Sequence, residues 1–307
     1  MNNPIERRGG SVVIFGANGF LGSVITKKLH NSGFEVLPVV RPGANKSRLD
    51  ALETLNILEV EPNQWPQVIS KLEPTAIICS QWEGVSKQER SNLEMQINNI
   101  EPILNLANSA KESRVGSFIC FGSQAESKES AGSIKEDFYD SGETAYGVVK
   151  SKLHSNLASL FDDSDCRFVW ARIFSVYGPS DHSDSLLMRL FQSELTQKEL
   201  VISNPSKFWS YLYEDDFAAA IEGILINLNV ISTVNVGNPF FNEIREIVAI
   251  WHGQSLGDLK TYEPSAANMG FFPDIEKLCS IGWNPSISLE EGIQRTRKAF
   301  SERVKAK

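Results

Sequence analysis

The tightest constraint on this chain lies between Ser11 and Asn31. Ser11–Phe15 (SVVIF) is short, apolar and β-branched, and reads as a buried strand. The turn GANGFLG at 16–22 follows without a gap, and Val24 to Asn31 has helical character. A strand, a glycine turn and a helix in immediate succession form the context that a phosphate-binding turn requires. Gly16 permits the tight turn, Gly19 lets the backbone approach a pyrophosphate, and Gly22 allows close helix packing. The spacing is G-x-x-G-x-x-G rather than G-x-G-x-x-G, and a purely structural glycine turn is the alternative. The candidate dinucleotide contacts here are Gly16, Asn18, Gly19, Phe20, Leu21 and Gly22.

Strands and helices then alternate. A second strand, Gly33 to Val40, ends in Arg41-Pro42-Gly43. An acidic residue at that place would bond a ribose 2′-hydroxyl, whereas an arginine accommodates a 2′-phosphate. Arg41, with Lys46 and Arg48 close behind, points to NADP(H); NAD(H) beside a solvated basic loop is the alternative. Further strands are expected around Leu55 to Val60 and over Thr75 to Cys79, the latter ending in Ser80, a further cofactor candidate. One long helix from about Arg90 to Lys111 follows. The fifth strand, Ser117 to Phe121, delivers Ser123 at its C-terminal end, where open parallel sheets place their ligand crevice. A sixth strand covers Cys166 to Phe174. The alternation argues an α/β fold built on a doubly wound parallel sheet.

Regularity breaks after Pro179. An amphipathic helix is read over Leu186 to Leu195, one apolar strand over Phe208 to Tyr213, and a helix over Phe217 to Asn227. Glu214, Asp215 and Asp216 precede that helix and suit its dipole. A late strand, Thr233 to Gly237, and a terminal helix, Glu290 to Phe300, complete the reading.

With 307 residues, a net charge of −8 and a pI near 5.2, the chain is poorly suited to nucleic acid or to membrane surfaces. Neither a signal peptide nor an apolar run of spanning length is visible, Met1 to Gly10 reads as a loose polar leader, and a cytoplasmic protein is expected. Cys79, Cys120, Cys166 and Cys279 lack C-x-x-C spacing and read as reduced core thiols. The histidines show no metal-ligand spacing, so no metal is expected.

Chemistry gathers at Thr144 to Lys150 (TAYGVVK). On a helix, Tyr146 and Lys150 are one turn apart on one face. A free phenol is a poor acid or base at neutral pH, and an adjacent ammonium favours its phenolate. A hydroxyl such as Ser123 can hold a carbonyl oxygen while the tyrosine gives it a proton, which suits carbonyl reduction or alcohol oxidation. Y-x-x-x-K alone is a common spacing, and a surface helix with an incidental Tyr and Lys is the alternative.

Seven segments in order resemble the extended short-chain dehydrogenase/reductases, the group that modifies nucleotide-activated sugars. They are GANGFLG at 16–22, FGS at 121–123, YGVVK at 146–150, ARIFSVYGP at 171–179, WSYLYEDDFAAAI at 209–221, NVGNP at 235–239 and LCSIGWNPSISLEEGI at 278–293. The resemblance implies a catalytic triad of Ser123, Tyr146 and Lys150, with Lys150 also on the nicotinamide ribose and Asn99 mainly structural. It implies a cofactor domain over 11–177, rejoined by 208–236, and a smaller mixed α/β lobe from 178–207 and 237–300 for a nucleotide-activated sugar. A homodimer is expected. Trp82, Gln124, Ser175, His182 and Trp209 are the candidate substrate contacts; for Trp82 and His182, plain packing or a solvated loop is the alternative.

Three departures qualify the resemblance. Phe15 stands where Thr usually precedes the first glycine, and Ser175 replaces the asparagine of the R-x-x-N-V-Y-G-P pattern. Trp209 replaces an arginine that often grips the substrate diphosphate, and looks like the W-D-Y-L-Y variant of deoxysugar-forming reductases. In the family's 4,6-dehydratases, Asp-Glu follows the catalytic hydroxyl residue; here Gln124-Ala125 does, and neither takes up a carbon-bound proton. The expectation is an NADPH-dependent 4-ketoreductase for a deoxysugar nucleotide. The alternatives are an NAD-dependent 4-epimerase and a catalytically idle NADP(H) sensor or scaffold.

Overall fold

Val12, Val13, Ile14 and Phe15 are all fully buried, as a strand covered on both faces demands. The computed structural model describes residues 10–52, 54–127, 132–138, 142–230, 232–255 and 270–305; nearly all of the polar leader lies outside them. The first half runs β1 (Ser11–Phe15), α1 (Phe20–Asn31), β2 (Glu35–Val40), β3 (Leu58–Glu59), α2 (Trp65–Leu72), β4 (Ala76–Cys79), α3 (Leu93–Ile97), α4 (Ile100–Glu112), β5 (Ser117–Ser123) and β6 (Gly132–Ile134). Then come α5 (Ala145–Phe161), β7 (Arg167–Ile173), β8 (Val176–Tyr177), α6 (Leu186–Thr196), β9 (Phe208–Trp209), β10 (Leu212–Tyr213), α7 (Glu214–Ile226) and β11 (Ser232–Val236). The chain closes with β12 (Asn242–Glu243), α8 (Ile244–Trp251), β13 (Phe271–Pro273), α9 (Glu276–Ser280) and α10 (Leu289–Lys305).

Seven strands pair in the order β11-β7-β5-β4-β1-β2-β3, all parallel, as the doubly wound reading requires. Alternate side chains serve opposite faces. Val12 and Ile14 pack with Ile25 and Leu29 of α1 and with Phe217 and Ile221 of α7. Val13 and Phe15 join Ile69 of α2, Leu106 of α4 and Leu157 of α5 on the other face. The order reverses between β1 and β4, so their C-terminal ends open a crevice there. A third cluster, outside the sheet, joins α6, α8 and α10 through Leu190, Phe191, Ile250, Trp251 and Phe300.

Four expectations need correcting. The single helix from Arg90 to Lys111 is broken at Asn98 and Asn99. The Asn99 carboxamide joins that break to the loop after β4, accepting from Glu83 N (2.7 Å) and donating to Glu83 O (3.2 Å) as well as to Met95 O (3.1 Å) in α3. The strand read over Phe208 to Tyr213 is two strands that change partner at Ser210: β9 pairs antiparallel with β12, and β10 parallel with β8. The acidic triplet belongs to the first turn of α7 rather than preceding it, and Asp216 accepts from the backbone N–H groups of Ser286 and Ile287. Cys79, Cys120 and Cys166 are buried free thiols, but Cys279 is exposed at the end of a short helix.

Glu214 lies largely buried at the start of α7. The Ser180 N–H bonds to it, yet Oε2 has no partner. Burial pushes this carboxyl up to about 7 from an ordinary 4.5, with Asp215 and Asp181 adding like charge against Lys27. A carboxyl raised on folding contributes stability that is present below the unfolded value and lost as pH rises through the folded one. Glu214→Gln should therefore match the wild type in Tm near pH 4.5 and exceed it near pH 8. Equal Tm differences at the two pH values would refute the assignment.

Candidate active site

The turn after β1 is built by close approach. Gly16 has φ +78°, and both Gly16 and Ala17 donate to Val39 O at the end of β2 (3.1 and 3.3 Å). A Cβ on Gly22 would stand 2.1 Å from Gly16 O and 2.7 Å from Ser80 Oγ, so only glycine lets α1 meet the turn. Gly19 caps α1 without a side-chain bond, and the first turn holds no acid. The first amides of α1 and its positive dipole end therefore face the cleft that Gly19, Phe20, Leu21 and Gly22 line. That is a cradle suited to a pyrophosphate.

The other cofactor candidates divide. Ser80 lines the cleft while its hydroxyl braces the turn, at 3.0 Å from Phe15 O and 3.2 Å from Gly16 O. Gly16 and Asn18 stand behind the lining, with Asn18 Nδ2 donating to Asn45 O (3.3 Å). Arg41 is half exposed outside the lining and paired with Glu83, while Lys46 pairs with Glu59 (2.5 Å). Arg48 donates to Ser180 O (3.0 Å) and to Asn18 O (3.4 Å), bridging the turn to the segment after β8.

Helix α5 starts at Thr144, whose hydroxyl accepts from Gly147 N (3.1 Å). A Cβ on Gly147 would stand 2.0 Å from Ala125 O, so glycine seats α5 directly against the turn that follows Ser123. One helical turn apart, Tyr146 and Lys150 are both buried yet border the cleft. Lys150 Nζ donates to Phe121 O (2.7 Å) and lies 3.7 Å from the centre of the Trp82 ring. Trp82 meets Tyr146 edge-on (5.7 Å) and donates to Gln96 Oε1 (2.8 Å). The structure thus places Trp82 against the Tyr146–Lys150 pair, a contact that the reading of it as a loop residue of the sugar pocket did not include.

Gln124, Ser175 and Trp209 form a polar group in the same cleft: Trp209 Nε1 donates to Ser175 Oγ (2.7 Å), and Gln124 Nε2 does so at 3.0 Å. His182 borders it too, beside Asp181, whose carboxyl burial pushes up. The cleft measures about 570 Å³. It brings together Gly19, Phe20, Leu21, Gly22, Ser80, Trp82, Ser123, Gln124, Tyr146, Lys150, Ser175, His182 and Trp209. A hydroxyl, a phenol and an ammonium at one end of an anion cradle can hold a carbonyl oxygen and exchange a proton with it.

Sequence reasoning missed two residues. Arg90 lines the cleft with its guanidinium 5.0 Å from the Tyr146 ring centre; nothing in its local sequence marked it. Glu126 sits behind Ser123, and the S-x-x-E pattern of Ser123 to Glu126 is a capping-box signature that would have found it. Among the described residues, no group of three or more His, Cys, Asp or Glu side chains could hold a metal, and no helix is long and apolar enough to cross a membrane.

A model of the NAD dependent epimerase/dehydratase family matches residues 12–237. UDP-glucuronic acid decarboxylase 1 of Danio rerio is 28% identical over 149 residues, which are 44% of this chain and 34% of that protein. The uncharacterized UDP-glucose epimerase YtcB of Bacillus subtilis is 25% identical over 206 residues, 64% of each chain. The chain thus spans about a third of the first relative and just under two-thirds of the second. Among solved structures, UDP-N-acetylglucosamine 4-epimerase of Methanobrevibacter ruminantium M1, in complex with UDP-N-acetylmuramic acid, superposes with a TM-score of 0.82. At 20% identity over 96% of this chain and 99% of that one, the likeness is one of fold.

Gly22→Ala places a methyl against backbone that cannot yield without opening the turn. It should weaken dinucleotide binding by about 100-fold, roughly 3 kcal/mol, while far-UV circular dichroism stays that of the wild type. The check is the rise in Tm on adding NADH or NADPH, and an undiminished rise would remove the turn from the binding site.

Proposed function

The chain belongs to the NAD dependent epimerase/dehydratase family, and on that premise we propose that it reduces the 4-keto group of a deoxysugar nucleotide with NADPH. The observation that supports this reading most is the pair after Ser123. Gln124 and Ala125 line the cleft there, and neither an amide nor a methyl takes up a carbon-bound proton. Elimination of water is then disfavoured, and the chemistry reduces to hydride and proton exchange at one carbon.

In this reading the turn from Gly16 to Gly22 and the first amides of α1 hold the pyrophosphate. Lys150 has three donors, of which Phe121 O takes one, so others remain for the nicotinamide ribose. The dinucleotide, when bound, supplies the hydride. Ser123 bonds the keto oxygen, Tyr146 gives that oxygen its proton, and solvent restores the phenol. The product is the alcohol. Segments 178–207 and 237–300, of which residues 256–269 lie outside the described residues, hold the nucleotide sugar, with Trp209, Ser175, Gln124 and His182 facing it. A homodimer in the cytoplasm is part of the same reading, and the free thiols suit a reducing compartment.

A second reading has its own observation. Arg41 and Lys46 are engaged by Glu83 and Glu59, which lowers the positive charge offered to a 2′-phosphate. That favours NAD and, with it, a 4-epimerase; the relative YtcB is named as a UDP-glucose epimerase. To separate the two, the purified protein is assayed for retained dinucleotide, then offered 4-keto-6-deoxy sugar nucleotides with NADPH or NADH. Net oxidation of the reduced cofactor supports the reductase. Retained NAD, with sugar epimerised and no net oxidation, supports the epimerase. Dinucleotide binding without turnover of any sugar nucleotide would leave an idle binder.

Tyr146→Phe should lower kcat by about 10²- to 10⁴-fold with dinucleotide affinity almost intact. Near wild-type turnover, with the chemical step limiting, would exclude Tyr146 as the acid. Arg41→Ala should weaken NADPH by about 10-fold, or ~1.4 kcal/mol, and leave NADH nearly unchanged. Equal losses in titrations with the two cofactors would assign Arg41 to its pair with Glu83 alone.

A further inference from the structure

We infer that Glu126 is the positioning residue of the reacting centre: its buried carboxylate fixes the backbone of Ser123, so that the serine hydroxyl, with one lone pair taken by the Ala125 N–H, has its proton free for the substrate oxygen. The inference rests on the reading of Ser123 as the residue that holds that oxygen.

The geometry starts at the end of β5. Ser123 opens a 3₁₀ turn over Gln124–Glu126, and the two ends of the turn are tied reciprocally. Ser123 N–H donates to Glu126 Oε1 (2.6 Å), and Ser123 Oγ accepts from Ala125 N–H (3.2 Å). A hydroxyl has one proton and two lone pairs. Ala125 takes a lone pair, and among the described residues no acceptor takes the proton. Since Ser123 borders the cleft, the cleft is where that proton finds its partner. The backbone N–H, the other donor of Ser123, is withdrawn to the carboxylate and cannot compete for the same oxygen.

Glu126 is only 3% exposed and does not border the cleft, so it acts through Ser123 and not on the substrate. Its carboxylate is held from β7. Trp170 Nε1 donates to both oxygens (2.9 and 3.1 Å), and Arg172 Nε lies 3.4 Å from Oε2. Arg172, 2% exposed, is itself anchored to Phe138 O (3.0 Å), Lys135 O (3.3 Å) and Asn235 Oδ1 (3.2 Å). His154 stacks on Trp170 at 4.8 Å and 6°, closing the other side. Burial pushes the Glu126 carboxyl up, and Arg172 works against that shift together with the Ser123 and Trp170 donors. Replacing a buried ion pair with apolar side chains is often neutral or stabilising, so this one is weak evidence for stability. A role in aiming Ser123 accounts for its place directly behind that residue.

The test is Glu126→Gln, which keeps the volume and one acceptor oxygen but removes the charge and sets an NH₂ group against the Trp170 and Arg172 donors. With a 4-keto-6-deoxy sugar nucleotide and NADPH as probes, kcat should fall on the order of 10²-fold. KM and the cofactor-induced rise in Tm should stay within about twofold. Combined with Ser123→Ala, the second substitution should add no further loss, because both remove one contact. Multiplying losses, or a change in KM alone, would overturn the inference in favour of a purely structural role. Glu126→Asp, which keeps the charge but draws it back, should recover part of the rate if Glu126→Gln folds poorly; no recovery counts against the inference. A substrate-free arm uses the backbone amide resonance of Ser123. It should lie far downfield in the wild type and move upfield in Glu126→Gln. An unmoved resonance overturns the positioning even where a probe is turned over. If no sugar nucleotide reacts but the resonance moves, the proposed reaction fails and the Glu126–Ser123 tie stands.

Discussion

The approach of α1 to the turn after β1 is the contact on which the cleft depends. Gly22 lies so near Gly16 O that no side chain fits between them, and the Ser80 hydroxyl spans the carbonyls of Phe15 and Gly16 from the next strand. This joint sits where the strand order reverses, so it sets both the aim of the first helical amides and the width of the crevice. A second close approach, Gly147 against Ala125 O, sets α5 relative to β5 in the same manner. Tyr146 and Lys150 ride on α5, and Ser123 ends β5. Two glycine contacts thus fix the site from opposite sides of the crevice.

Around those contacts the interior is more polar than a parallel sheet needs. Arg167 donates to the carbonyls of Ile224 (2.9 Å), Asn227 (2.7 Å) and Val230 (3.1 Å), closing the C-terminal end of α7 with a cation. Burial lowers that guanidinium to about 10. Asp216 holds the other end of α7 to Ser286 and Ile287. The helix is therefore tied at both ends by charge-assisted hydrogen bonds, beyond the apolar stripe that packs it on the sheet.

The sheet was legible because strands such as Ser11–Phe15 and Ala76–Cys79 are continuous apolar runs, the first running straight into a glycine turn. Local periodicity could not show where a polar side chain would recruit a distant backbone. At the break in the predicted long helix Asn99 ties Glu83 to α3, and Phe208 to Tyr213 divides because two strands on different sides pair with it. The candidate site was legible in its motif residues. Arg41 kept its place at the end of β2, but Glu83 comes from a loop some forty residues on, and no sequence pattern joins them. Trp82 over Lys150 and Arg90 beside Tyr146 are likewise products of how the loop after β4 folds back.

Arg48 gives the cleft a property that neither of its halves has alone. One guanidinium spans Asn18 O in the turn and Ser180 O in the segment that leads to His182. The turn and the segment after β8 are thereby held at one spacing, and loss of that one side chain would let each move without the other.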